Sequence, residues 1–358
     1  MERSDAGLLV VFCSSGYEPS ELLAGIGSVA DDIPLVGCST AGEIATSGPG
    51  DAGVVVVALG GDGLTVATAS AEATTGLWDA GAQVAACAEE VASRPHRVLM
   101  LLADGLAGDQ QEVVRGAYSM VGAEVPLVGG CAGDDLKMRS TSQFHGNRVM
   151  SNAVVAAALG SDAPFGIGVR HGWRRVGSPM HVTASDANHV LALDEKPALD
   201  VYLRGLGAPE HVAHDPDEFT RFALTHPIGL ERRSGEEVRF VAGADFENRS
   251  LTCVAHVPQG GLTWFMEGNS ESVLAATDAA CAEAIGQLGG DAPIGLLAFD
   301  CIARRGVLGG PGIDEEVGRI ARHSTGAPVA GFYTYGEIAR TRGTGGFHNQ
   351  TLVVLAVA

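Results

Sequence analysis

The feature that most limits what this chain can fold into is an internal repeat. Three segments are built alike: Pro34-Leu35-Val36-Gly37-Cys38-Ser39-Thr40-Ala41-Gly42-Glu43-Ile44, Pro126-Leu127-Val128-Gly129-Gly130-Cys131-Ala132-Gly133-Asp134-Asp135-Leu136, and Pro328-Val329-Ala330-Gly331-Phe332-Tyr333-Thr334-Tyr335-Gly336-Glu337-Ile338. Each reads as a short apolar strand running into a loop of small residues that ends on an acid and an aliphatic. The surroundings repeat as well. An apolar run (8–13, 98–103, 294–301) and then a helical stretch (20–29, 110–121, 315–323) precede each copy, and another apolar run lies behind it (54–59, 153–159, 352–357). Continuous apolar runs bounded by glycine mark strands buried on both faces or packed under helices. The recurring unit is therefore strand, helix, strand, glycine loop, strand, which predicts a mixed α/β fold.

The stretch between the second and third copies has a different texture. Strands are expected at 181–185 and 190–193, a helix over 197–206 with Pro197 in its first turn, polar loops at 211–218 and 232–237, strands at 238–242, 251–256 and 262–266, and a helix over 272–288. A boundary near Glu195 divides the chain into an N-terminal domain, 1–195, and a C-terminal domain, 196–358. With 358 residues, 46% of them hydrophobic, there is material for two cores. No low-complexity linker separates the halves. They are expected to pack together as two modules of mixed β-sheet covered by helices, with the glycine loops clustered at strand ends.

These residues carry a family resemblance. Gly37-Cys38-Ser39-Thr40-Ala41-Gly42-Glu43-Ile44 resembles the opening signature of FIST N-terminal domains. Asp194-Glu195-Lys196-Pro197-Ala198-Leu199-Asp200-Val201-Tyr202, Phe299-Asp300-Cys301-Ile302-Ala303-Arg304, Gly331-Phe332-Tyr333-Thr334-Tyr335-Gly336-Glu337-Ile338-Ala339 and Phe347-His348-Asn349-Gln350-Thr351-Leu352 resemble successive signatures of the FIST C-terminal domain. The match runs in order over nearly the whole chain. It implies a sensory pair of domains, found in bacterial signalling chains and in some eukaryotic F-box proteins, that binds small ligands such as amino acids and is not an enzyme. No kinase, methyl-acceptor or cyclase-like segment accompanies it, so a separate signalling protein is the expected output partner.

Charge and composition narrow the alternatives. A net charge of -20 repels phosphate backbones and anionic lipid, which argues against nucleic acid and membrane as partners. No run approaches the ~20 apolar residues of a membrane span, and the first residues lack the basic flank of a secretory leader, so a cytoplasmic location is expected. The seven cysteines are odd in number, scattered and never spaced as CxxC, which suits a reducing compartment better than disulfides or zinc. His211, His214 and Asp215 have a metal-like spacing, but they sit in a polar loop and read as solvated. No Walker loop, GxGxxG, GxSxG or HExxH is present, and no cofactor is expected.

The repeated loops supply the candidate ligand residues. In the first, glycine at Gly37 and Gly42 lets the backbone take positive φ and approach a ligand closely, Cys38, Ser39 and Thr40 line the approach, and Glu43 adds an acceptor. Donors on one side and a carboxylate on the other suit a zwitterion; a tight turn in which Ser39 and Thr40 cap their own backbone is the structural alternative. The second copy carries Asp134-Asp135 where its sisters carry Glu. The third is aromatic: Tyr333 and Tyr335 precede Gly336-Glu337, Arg340 and Arg342 follow, and His348-Asn349 arrive just before the last strand. Cys301 ends a strand beside Arg304 and Arg305, a setting that could line a pocket or, with His348 or His323 as base, form the nucleophile of a cysteine-dependent hydrolase or transferase on a small amide or acyl compound. Arg304 is the expected anchor for a ligand carboxylate, because its planar fork holds carboxylates at two points. The loops of copies one and three should then face a common cavity, with Glu43 or Glu337 near Arg304.

Overall fold

The structure, a computed structural model, describes residues 5–30, 32–232, 235–341 and 345–358. The first repeat folds as β1 (Ala6–Ser14), α1 (Pro19–Ala30), β2 (Leu35–Thr40), a hairpin of β3 (Glu43–Ala45) and β4 (Gly48–Gly50), and β5 (Val54–Gly60). The second has β6 (Leu64–Glu72) and α2 (Leu77–Ala85) ahead of β7 (His96–Ala103), α3 (Gln111–Val121), β8 (Leu127–Cys131), the hairpin β9 (Gln143–His145) and β10 (Arg148–Met150), and β11 (Ala153–Ser161). β12 (Phe165–Arg170) follows. An inserted unit then runs through β13 (Arg174–Asp186), β14 (His189–Leu193), β15 (Lys196–Pro197), α4 (Ala198–Gly205), α5 (Pro216–Leu224), β16 (Ile228–Arg232), β17 (Gly235–Arg239), β18 (Val241–Asp245), β19 (Ser250–Cys253) and β20 (Leu262–Glu267). After α6 (Ser270–Gly286), the third repeat comprises β21 (Gly295–Cys301), α7 (Ile302–His323), β22 (Val329–Thr334), the hairpin β23 (Glu337–Arg340) and β24 (Phe347–His348), and β25 (Leu352–Val357). The fold is mixed α/β.

Each repeat places its first strand parallel to its second and antiparallel to its last: β1 with β2 and β5, β7 with β8 and β11, β21 with β22 and β25. The hairpins do not stay in their own repeats. β3 pairs with β22 of the third, β23 pairs with β8 of the second, and β9 pairs with β2 of the first. This closes a cycle of exchanged hairpins, and the positions are equivalent: Glu43 lies opposite Phe332, Glu337 opposite Gly130, and Gln143 opposite Cys38. Gln143, and not Asp134 or Asp135, therefore occupies the acid's place in the second copy. It lies ten positions after Gly133, so the sequence alignment hides the equivalence.

The exchange crosses the boundary at Glu195. Among the described residues the sheets run β10-β9-β2-β1-β5, β24-β23-β8-β7-β11-β6 and β12-β25-β21-β22-β3-β4, so two of the three contain strands from both sides of it. Their inner faces enclose one core in which Leu8, Val10 and Phe12 meet Val98, Met100 and Leu102 and also Leu297, Phe299 and Phe332. Phe12 lies 4.7 Å from Phe332 and 6.4 Å from Phe299 between ring centroids. Alternate residues of the same strands point outward to helices: Leu99, Leu101 and Ala103 under α2 and α3, Leu296 and Ala298 under α6 and α7. The repeated glycine has a physical cause. A Cβ at Gly37, Gly129 or Gly331 would collide with the carbonyl of Val11, Leu101 or Ala298 on the adjoining parallel strand.

The insert builds an antiparallel sheet, β17-β16-β20-β13-β14-β19-β18 with β15 on β14, over its own core around Tyr202, Phe219 and Phe265. His211 to Asp215 fall here. Asp215 is the N-cap of α5, accepting from the N–H groups of Asp217 and Glu218, so its carboxylate serves the helix. The helix expected over 315–323 is longer: α7 begins at Ile302, with a break at Gly309 (φ 63°) ahead of Pro311.

Candidate functional site

The three loops converge at the C-terminal ends of the parallel strands. There they are tied to one another by equivalent backbone hydrogen bonds: the N–H of Ala41 donates to the carbonyl of Tyr333, that of Tyr335 to Cys131, and that of Gly133 to Ser39. Their polar side chains are spent in the same knot. Ser39 Oγ donates to the Gly133 carbonyl (2.7 Å) and accepts from the Ser142 N–H. Thr40 donates to Glu43 (2.5 Å), whose other oxygen takes the Gly53 N–H, and Thr334 donates to Glu337 (2.5 Å), whose other oxygen takes the Thr351 N–H. The two glutamates are thus the same device at equivalent places, each buried. Burial raises the pKa of Glu43, against the hydrogen bonds from Thr40 and Gly53, and raises that of Glu337 to about 8. Tyr335 donates to Asp134 (2.5 Å). Burial pushes Asp134 up, but the bond from Tyr335 and the N–H groups of residues 138–140 outweigh it and hold its pKa below the usual value. Gly42 (φ 118°) and Gly336 sit where a Cβ would meet Arg305 and the Phe347 ring.

Arg304 is also committed. It is fully buried, with Nε on Asp300 (2.7 Å), Nη1 on the His171 carbonyl (2.9 Å), and Nη2 on Glu316 (2.6 Å) and Thr277 (2.9 Å). With the side chain fully enclosed among these partners, a ligand carboxylate could reach it only if this cluster came apart. Burial, and then the charge of Glu316, raise the pKa of Asp300 well above the carboxylate range. Glu337 is near enough to feel the Arg304 charge, but the two make no hydrogen bond. Tyr333 is buried beneath the guanidinium of Arg305, 4.8 Å from the ring centroid, with its hydroxyl unpartnered.

Cys301 is buried, and desolvation followed by the charge of Glu337 pushes its thiol well above the ordinary value. Its partner is Glu337 and not an imidazole. His348 Nε2 donates to the Ala339 carbonyl (2.9 Å), which makes Nε2 the protonated nitrogen, and His323 pairs with Asp278 (3.0 Å). A thiolate with a histidine base is therefore not assembled here. Cys38 is likewise buried with a raised pKa. Asn349 is buried with its side-chain oxygen unpartnered. Arg340 is buried with its guanidinium 3.9 Å from the centroid of the Tyr118 ring, and Arg342 lies outside the described residues.

An open cleft of about 720 Å³ lies at the other end of the strands, where β7 and β8 begin. It is framed by β12, α6, β17 and the β23–β24 hairpin. Val98, Phe165, Ile167, Val169 and Ala339 form its apolar floor, continuous with the central core. Its walls carry both signs of charge in pairs: Arg97 loosely with Glu124 (3.4 Å), Arg170 closely with Glu283 (2.5 Å), and Glu236 with Arg175. Glu237 is tied to the buried Arg239 (2.9 Å). Glu283 of α6 and Gln287, which caps that helix, also hold the outer backbone of β12, accepting from the N–H groups of Val169 and Ile167. Of the residues singled out from the sequence, His348 lines this cleft and the loop residues do not. Burial lowers its pKa, so its ring is neutral at physiological pH and Nδ1 is an acceptor. The other wall residues have no sequence signature, being first residues of strands and one helix face brought together by the hairpin exchange.

Two family models divide the chain at the insert: the FIST N domain matches residues 7–196 and the FIST C domain matches residues 198–340. The chain belongs to the FIST family. FIST domains are associated with sensory function in signal transduction, and the family is not a known enzyme family. The FIST C match includes the Phe299-to-Arg304 and Gly331-to-Ala339 signatures, so Arg304 with Asp300, Thr277 and Glu316, and the Thr334–Glu337 pair, lie within the matched region. No curated protein matches the FIST chain. No helix among its described residues is long and apolar enough to cross a membrane.

Proposed function

We propose that this FIST protein senses a small carboxylate-bearing metabolite, an amino acid in the first instance, bound in the cleft between β7, β12, α6 and β17. The observation that carries the reading is the cleft itself: about 720 Å³, within the ~300–1,000 Å³ usual for ligand pockets, with an apolar floor under walls that are mainly charged and polar. Both signs of charge are at hand. Arg97 and Arg170 offer forks for a carboxylate, Glu124, Glu236 and Glu283 offer partners for an ammonium, and the Val98–Ile167–Phe165 floor takes an aliphatic body. A zwitterion would exchange the existing surface pairs for its own, at small cost because exposed ion pairs contribute only ~0–1 kcal/mol each. The loop knot, by contrast, is closed by its own hydrogen bonds and serves to lock the three repeats together.

Since ligand contacts come from β7 and β8 on one side and β12, α6 and β17 on the other, occupancy would bias how these elements sit, which is how a binding module signals to a separate protein. The test is a melting screen of amino acids and small organic acids. A ligand at about a hundredfold over its dissociation constant adds roughly 2.7 kcal/mol, or several °C. At least one acid should shift wild type, and the shift should shrink in Arg97→Ala and Arg170→Ala. If no acid shifts the wild type, or if the shift survives both substitutions intact, the cleft is not the site.

A further inference from the structure

The three repeats are unequally covered. In the second, β6 runs antiparallel to β11 from Leu64↔Ser161 to Glu72↔Ala153, and α2 lies over both strands and against α3. In the third, β12 pairs in the same way with β25, and α6 lies over both and against α7. In the first, β5 ends its sheet, and among the described residues α1 is the repeat's one helix. The effect is visible at equivalent residues. Cys13 lies opposite Val54 as Ala103 lies opposite Val154, which makes Val56 and Ala58 the counterparts of Ala156 and Ala158. The last two are 1% and 0% exposed under α2, whereas Val56 is 47% exposed and Ala58 is also exposed. The helix shows a second, independent gap. Gly116 of α3 has no side chain because the Trp78 carbonyl of α2 presses against it, while Gly25 of α1 faces open space.

A seven-residue strand reading Val-Val-Val-Val-Ala-Leu-Gly, with no strand on its outer edge among the described residues and no charge, is a template for another strand. The charge around it selects the partner. Residues 5–93 contain twelve Asp and Glu and no Lys or Arg, and the exposed Glu18 and Glu21 stand by one end of β5 with Asp62 by the other. A second copy docking edge to edge would bring acid against acid. We propose that β5 and α1 form the docking surface for a separate protein, which adds a strand antiparallel to β5 and lays an amphipathic helix over Val54, Val56 and Gly25, with Lys or Arg flanking both. Main-chain pairing would supply adhesion, and the basic flanks and helix face would supply selectivity.

The probe is a fluorescent peptide with the sequence of residues 63–86, the strand and helix that cover the second repeat, carrying Glu72→Lys and Asp79→Lys. Saturable binding to the full chain is expected, with hydrogen-exchange protection gained on β5 amides. Binding should weaken at least about tenfold in Val56→Asp and, separately, in Gly25→Leu, and stay unchanged in Met120→Asp, an exposed apolar site elsewhere. All three positions are exposed, so the variants should melt with wild type. No saturable binding, protection gained away from β5, or binding indifferent to both substitutions overturns the proposal. So does a chain that sediments as a dimer split by Val56→Asp, because the occupant is then a second copy.

Discussion

Replacing Glu337 with Gln tests whether the repeated loop is held by a neutral acid. Glu337 is completely buried, and burial raises its pKa to about 8 from the ordinary 4.5. Between those values the folded chain keeps a proton that the unfolded chain has lost. Unfolding then releases a proton, so this group's contribution to stability is present in full below pH 4.5 and declines as pH rises to about 8. The slope is about 1.4 kcal/mol per pH unit, and over the window it reaches roughly 5 kcal/mol as a ceiling. Gln mimics the protonated acid and does not titrate. The fold already accepts Gln at this place, since Gln143 occupies the equivalent position in the second repeat and donates to Thr141 (3.0 Å). Urea unfolding of both proteins from pH 5 to 9 is the assay. Glu43, also raised by burial and not coupled to Glu337, titrates in both and cancels in the difference, whereas Asp300 feels the Glu337 charge and cancels only in part. Glu337→Gln should match or fall slightly below wild type near pH 5 and gain on it steadily to pH 8, by several kcal/mol, or up to roughly 10 °C in melting temperature. A wild-type-minus-variant difference that stays flat across the range would show that Glu337 is ionised in the fold, and would refute the reasoning.

Two further substitutions address the scaffold. Arg304→Met removes the one cation shared by Asp300 and Glu316 in a fully buried cluster, and should cost about 3–5 kcal/mol by chemical denaturation while leaving ligand shifts in the cleft proportionally unchanged; a loss of ligand response without a loss of stability would restore Arg304 as a ligand anchor. Gly129→Ala places a Cβ against the Leu101 carbonyl at a backbone of φ 140°, and should abolish soluble folding or lower the melting point by many degrees, whereas Gly286→Ala, on a helix where the added methyl meets nothing, should be tolerated.

The repeat, the mixed α/β class, the strands at 8–13, 98–103 and 352–357, and the family were legible because buried strands and glycine loops leave local marks: unbroken apolar runs, and glycines forced by close strand approach. What could not be read was which repeat each hairpin joins. β3, β9 and β23 are short, and their partners lie more than a hundred residues away in all three cases, so pairing is decided by the closure of the central core and not by local preference. That exchange spends the polar atoms of Ser39, Thr40, Glu43 and Glu337 on holding the repeats together, although in sequence they have the make-up of a ligand loop. It likewise turns Arg304, which stands next to a strand end, inward to Asp300 and Glu316. The cleft is the converse case. Arg97, Glu124, Phe165, Glu236 and Glu283 belong to separate elements with no common motif, and a site assembled from strand starts and a helix face exists only once the sheets have closed. Sequence determined the repeated core strands and their glycine loops through local sterics and burial; tertiary closure decided which polar groups were consumed inside the fold and which were left facing a cavity.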